Sequence, residues 1–123
     1  MEKRRIITAY GLSTEENIFI KECFAPDKYE YRDYSEHCET DLIAHSSTVL
    51  ILNSQKLSED GRAMIWDYYR EAGDTTDEII IWLGEPISSN YHCKSFKCFE
   101  SFDKLRDDLK IILTQKCLND PTL

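Results

Sequence analysis

The sequence predicts an α/β fold: a three-layer α/β/α sandwich on a mainly parallel five-stranded sheet. Three observations carry this. Short apolar runs alternate with amphipathic helical segments along the chain, the pattern of helices packed on both faces of a sheet. The runs at 5–10, 48–52 and 79–83 are almost continuously apolar, as strands buried on both faces are, whereas 28–32 and 95–99 mix polar and apolar residues, as edge strands do. The 123 residues, 41% of them apolar, make one domain that buries roughly two-thirds of its unfolded surface without needing a disulfide or a metal. That domain is assigned to 1–118, with 119–123 as a frayed tail.

The first strand, 5–10, stops at Gly11. Ser13-Thr14-Glu15-Glu16 then fits the capping box of a helix start, predicting a helix over 14–24 with Ile20, Cys23 and Phe24 inward, Phe19 flanking and Pro26 beyond its end. Polar and aromatic residues alternate over 28–32, a half-exposed strand. A helical turn near 40–44 leads to the strand at 48–52, closed by Asn53-Ser54. The next helix, 58–72, carries Leu57, Gly61, Met64, Ile65, Tyr68 and Ala72 on its predicted apolar stripe, with Gly73 placed as its C-cap. Trp66, Asp67, Arg70 and Glu71 fall off that stripe; an outward Trp66 would mark a contact surface, but packing of Trp66 at the stripe's edge is the preferred reading. The most apolar run, 79–83, ends at Gly84-Glu85-Pro86, and a polar loop leads to the strand at 95–99. The last helix starts at Ser101, with Phe102, Leu105, Leu109, Ile112 and Leu113 on one face.

Three central and two edge strands match the flavodoxin-like order 2-1-3-4-5, in which strands one, three and four are interior. The connection over 85–94 reads as loop and is short for a parallel crossover, so an antiparallel last strand stands as the alternative.

Composition narrows the function. With 23 acidic against 15 basic residues the net charge is −8, which disfavours a phosphate backbone as partner and argues against nucleic-acid binding. The basic start, Lys3-Arg4-Arg5, lacks the apolar stretch of a signal peptide, and no run is long enough to span a bilayer; the expectation is a cytosolic chain without membrane contact. Five cysteines with no C-x-x-C pair read as free thiols. The dipeptides His37-Cys38 and His92-Cys93 have zinc-ligand chemistry but not the spacing of a zinc module, so no metal and no cofactor is predicted.

In a sheet of this order, ligands bind beyond the carboxyl ends of the strands, at the switch point between strands one and three. The candidate ligand-binding residues are therefore Tyr10, Gly11, Ser13, Asn53, Ser54 and Gly84. Gly11 and Ser13 at a helix start offer N–H groups to an anion, but plain capping explains them too, and Glu15 and Glu16 would compete with the anion. No P-loop or G-x-G-x-x-G is present. His37 with Glu36 forms a possible acid–base pair. Glu85 is either a desolvated carboxyl or a solvated one.

Three stretches resemble a Toll/interleukin-receptor (TIR) domain: Ile6-Ile7-Thr8-Ala9-Tyr10, Val49-Leu50-Ile51-Leu52-Asn53-Ser54-Gln55-Lys56-Leu57-Ser58, and Ile79-Ile80-Ile81-Trp82-Leu83-Gly84-Glu85-Pro86. They are similar to that family's first strand, its third strand with the following serine turn, and its fourth strand. The resemblance implies a flavodoxin-like fold and a part in signalling or defence. In the NAD-cleaving members it also implies a glutamate about twelve residues beyond the first serine of that turn. Here that count from Ser54 reaches Trp66, with Asp67 next to it, so a shifted alignment is needed to give the role to Glu71 or Glu59. The family's Trp-Cys pair is not in place.

The leading expectation is a binding or signalling module that recognises a partner protein or a small, nucleotide-like ligand at the strand carboxyl edge. The alternative is a nucleotide- or NAD-processing glycohydrolase or transferase with Glu71, Glu59 or Glu85 as its carboxylate. A third is a subunit of a homodimer. The enzyme reading requires a concave pocket at Gly11, Ser13, Asn53 and Ser54 with a carboxylate in it. The partner-binding reading expects that region shallow and Trp66 or Tyr69 exposed.

Overall fold

The computed structural model describes residues 5–44, 47–72, 78–87 and 96–118. Five strands, β1 (Arg5–Tyr10), β2 (Tyr29–Asp33), β3 (Val49–Asn53), β4 (Ile79–Leu83) and β5 (Phe96–Phe99), form one sheet in the order β2-β1-β3-β4-β5. Every neighbouring pair is parallel. The helices are α1 (Thr14–Glu22), α2 (Asp41–Ala44), α3 (Glu59–Ala72) and α4 (Phe102–Leu118), with a 3-10 turn at Ser54–Lys56. The antiparallel alternative for the last strand is thereby overturned: Ile80 lies opposite Phe96 and Leu83 opposite Phe99 in a parallel register. The predicted C-cap Gly73, the dipeptide His92-Cys93, the tail 119–123 and the side chain of Cys117 lie outside the described residues.

Period-two alternation on the interior strands divides the apolar residues between two cores, one on each face of the sheet. Ile7, Val49, Ile51, Ile81 and Leu83 face α1 and α4, meeting Ile20, Leu105, Leu109 and Leu113. Leu50, Leu52, Ile80, Trp82 and Phe96 face α2 and α3, meeting Leu42, Leu57, Ile65, Trp66 and Tyr69. Thr8, a polar residue on a central strand, is buried without loss because its hydroxyl bonds the Ser47 hydroxyl at 2.6 Å.

Local signals explain the helix starts. Ser13 caps α1: its hydroxyl accepts from the Glu16 N–H at 3.1 Å, and the Glu16 carboxylate accepts from the Ser13 N–H at 2.8 Å, the reciprocal box that the sequence predicts. The helix ends at Glu22, earlier than predicted, because the Cys23 N–H reaches back to the Ile20 carbonyl and tightens the last turn. At α3 the box is completed from a distance. Ser58 accepts from the Gly61 N–H at 2.9 Å, but Gly61 has no side chain to return the bond, and Glu39 takes that place, accepting from the Ser58 N–H at 3.0 Å and from its hydroxyl at 2.9 Å.

The stripe of α3 departs from expectation at its tyrosines, while Trp66 is packed as preferred. Trp66 and Tyr69 are buried and Tyr68 is exposed. The apolar arc of this helix is wide enough for either tyrosine to face inward. Tyr69 takes the inside position, one turn on from Ile65, where its hydroxyl donates to the Glu78 carboxylate at 3.1 Å. Trp66 packs edge-on against Trp82 at 5.0 Å and Phe96 at 4.7 Å, covering β4 and β5.

Candidate functional site

Two turns converge at the carboxyl edge of the sheet. After β1 the chain reverses at Gly11, whose φ of 74° is a left-handed conformation suited to glycine. A Cβ there would lie 2.8 Å from Cβ of Lys56, so the first turn rests directly on the one that follows β3. The Gly11 N–H donates to the Ser35 hydroxyl at 3.0 Å, and Ser35 is held in turn by Asp33, to which its hydroxyl donates at 2.6 Å and its N–H at 3.0 Å. Beyond β3, Asn53 accepts from the Gln55 N–H at 3.1 Å and starts the 3-10 turn.

A cleft of about 480 Å³ opens between these turns, lined by Tyr10, Gly11, Ser13, Ser35, Asn53 and Lys56, with Glu16 from α1. A smaller one, about 240 Å³, adjoins it and is lined by Glu16, Asn53, Gln55, Gly84, Glu100 and Ser101. Glu16 and Asn53 belong to both and form the wall between them.

Of the predicted ligand-binding residues, Tyr10, Gly11, Ser13 and Asn53 come together in the larger cleft, and Gly84 joins Asn53 in the smaller. Ser54 lines neither. It is buried, and its hydroxyl donates to the Leu83 carbonyl at 2.7 Å, tying β3 to β4. The predicted carboxylates also stay outside. Glu59, exposed in the first turn of α3, reaches the carboxyl edge but lines neither cleft. Glu85 is exposed, and its backbone carbonyl accepts from the Trp82 indole at 3.0 Å. Glu71 sits in the last turn of α3, which runs back along the sheet, so it lies toward the opposite edge. The carboxylates that do line the clefts are Glu16 and Glu100. Sequence reasoning saw Glu16 only as a cap; its second role follows from the end of β3 lying beside β1.

Electrostatics at this edge lean negative. Glu16 lines both clefts and Glu100 the smaller, and among the described residues Lys56 alone brings a positive charge to their walls. The N-terminus of α1 is already served by its own capping box, and the Gly11 N–H by Ser35, so plain capping rather than an anion accounts for Gly11 and Ser13. Burial, reinforced by the nearby Glu39 carboxylate, pushes the Tyr10 phenol above its ordinary value and keeps it a proton-bearing donor. His37 is exposed and stacks on Tyr34 at 4.2 Å. Among the described residues no cluster of three or more His, Cys, Asp or Glu side chains is placed to hold a metal, and no helix is long and apolar enough to cross a membrane.

Trp66 and Tyr69, the aromatics of α3 expected to be exposed on a partner-binding surface, are buried at 2% and 3% exposure, and Tyr68 is the aromatic that α3 presents to solvent. No family model matches the chain, and no curated protein matches it. The flavodoxin-like sheet order therefore stands on the coordinates.

Proposed function

We propose that the chain is a small-ligand recognition domain that takes a nucleoside-like molecule in the cleft at the carboxyl edge of the sheet. One observation carries this reading: Gly11, Ser13, Ser35, Asn53 and Lys56 converge on one concave cleft with polar side chains in its wall, while Trp66 and Tyr69 of α3 are buried. Hydroxyl and amide groups on that wall suit the hydroxyls of a ribose, and a carboxylate such as Glu16 accepts from a paired diol as acidic residues do in dinucleotide-binding folds. A single lysine suits at most one phosphate. The three TIR-like stretches fall on β1, β3 with its turn, and β4, which is why a signalling role remains part of the proposal.

Titration of ¹⁵N-labelled protein with adenosine, AMP and NAD, followed by amide shifts, tests it. Shifts gathered at Gly11, Ser35, Asn53 and Lys56 are expected. Saturable shifts elsewhere only, or none with any of the three, would overturn it.

A second reading, NAD glycohydrolysis, is favoured by Glu16 and Glu100 lining the same small cleft, since a carboxylate there can stabilise an oxocarbenium-like transition state. Nicotinamide released from NAD by the wild type and lost in Glu100→Gln supports it; no release removes it.

A further inference from the structure

At the opposite edge of the sheet, where β2 begins, a separate cavity of about 420 Å³ lies between the end of α1 and the middle of α4. Its size falls in the range of small-molecule sites. Phe24, Tyr29, Leu113 and Cys23 give it an apolar body, and Tyr29 is locked in place because its hydroxyl donates to the Leu113 carbonyl at 2.8 Å. Phe24 packs edge-on against Tyr29 at 5.5 Å and stacks over Tyr31 at 6.3 Å, so this wall is rigid. Lys28 and Lys110, both exposed, stand at the mouth with one acid, Glu22. In a chain of net charge −8, a local excess of positive charge over an apolar cavity is the reverse of the general surface.

We propose that this cavity binds a small amphipathic carboxylate, with Phe24, Tyr29 and Leu113 against its apolar body and Lys28 and Lys110 facing its charge. The site shares no residue with the carboxyl-edge clefts, so the inference is independent of the ligand proposed there. Cys23 sits in the cavity wall, half-buried, close enough to Lys110 and Glu22 to feel both charges, and it reports occupancy directly.

The probe is octanoate, with octanol as its uncharged control. Alkylation of each cysteine by iodoacetamide is followed by peptide mass mapping, and affinity by calorimetry. Octanoate is expected to slow alkylation of Cys23 but not of exposed Cys38, and to bind more tightly than octanol. Lys28→Gln with Lys110→Gln is expected to weaken octanoate roughly tenfold, a few-fold per exposed charge, and to leave octanol unchanged. Both lysines are exposed, so the variants keep the fold, which thermal melting checks. No protection of Cys23 at millimolar octanoate, equal affinity for octanol, or an unchanged double variant would each overturn the proposal.

Discussion

The Ser54 hydroxyl donates to the Leu83 carbonyl across 2.7 Å, joining the ends of the two most apolar strands just beneath the candidate clefts. Gly84, which follows that carbonyl, has φ 115°, and a methyl there would run into the Ser54 hydroxyl. Ser54 and Gly84 are thus a fitted pair, with Gly84 lining the smaller cleft and Ser54 buried beneath it.

Ser54→Ala leaves the Leu83 carbonyl without its partner and is expected to cost about 1–3 kcal/mol. Gly84→Ala is expected to cost a similar amount, from strain at positive φ and from the contact. Removing the hydroxyl removes the contact, so the double variant should lose about 1 kcal/mol less than the sum. Urea denaturation of the four proteins measures this; strict additivity would contradict it.

Glu39 stands in for the side chain that Gly61 lacks in the cap of α3, and a methyl on Gly61 would overlap its carboxylate. Gly61→Ala should therefore bring no net gain to the wild type: the methyl displaces the Glu39 carboxylate and its cap bonds, which offsets the roughly 1 kcal/mol by which alanine is ordinarily favoured over glycine within a helix. In a Glu39→Ala background, itself about 1 kcal/mol less stable for the lost cap bonds, the same change should become stabilising. Denaturant midpoints for the two backgrounds test that difference; an equal gain in both would contradict it.

These pairings mark the boundary of what the chain discloses on its own. Sheet order was legible because a strand such as Ile79–Leu83, with no polar residue, fits only the interior, and Tyr29–Asp33 only an edge. The start of α1 was legible because Ser13 and Glu16 are three residues apart. The cap of α3 was not, since Glu39 lies nineteen residues before Ser58 and no periodicity reports it. Position along the helix misassigned Tyr68 and Tyr69 because their apolar arc is broad; the hydroxyl of Tyr69 decided between them by finding Glu78. The carboxylates of the clefts were missed for the same reason as Glu39. Glu16 and Glu100 meet only because α1 and the end of β5 return to one edge.

The contribution of Glu78 to stability should fall as pH rises through the acid range. Burial holds the Glu78 carboxyl above the ordinary value of 4.5, although the Tyr69 hydroxyl and the Ser47 N–H, which bond its charged form, oppose that shift. The folded chain then keeps its proton where the unfolded chain has lost it, so this contribution is highest below the unfolded value and declines until the folded value is passed. Glu78→Gln should flatten that decline. Denaturation midpoints across this window, wild type against variant, give the test; equal slopes would show that Glu78 is not the cause.

Glu16 has two duties that one pair of substitutions can separate. Its carboxylate accepts from the Ser13 N–H, and the residue also lines both clefts. Glu16→Gln keeps an acceptor for the capping box but removes the charge, so stability should stay within about 0.5 kcal/mol. Glu16→Ala loses both and should cost about 1 kcal/mol. For ligands, the loss of one negative charge favours an anion over a neutral analogue. AMP should therefore gain on adenosine about two- to fivefold in Glu16→Gln, the scale of a partly exposed charge pair. The gain should shrink as salt screens it. Calorimetry with both ligands at two ionic strengths measures the ratio, and a ratio equal to that of the wild type would place Glu16 outside the ligand's reach.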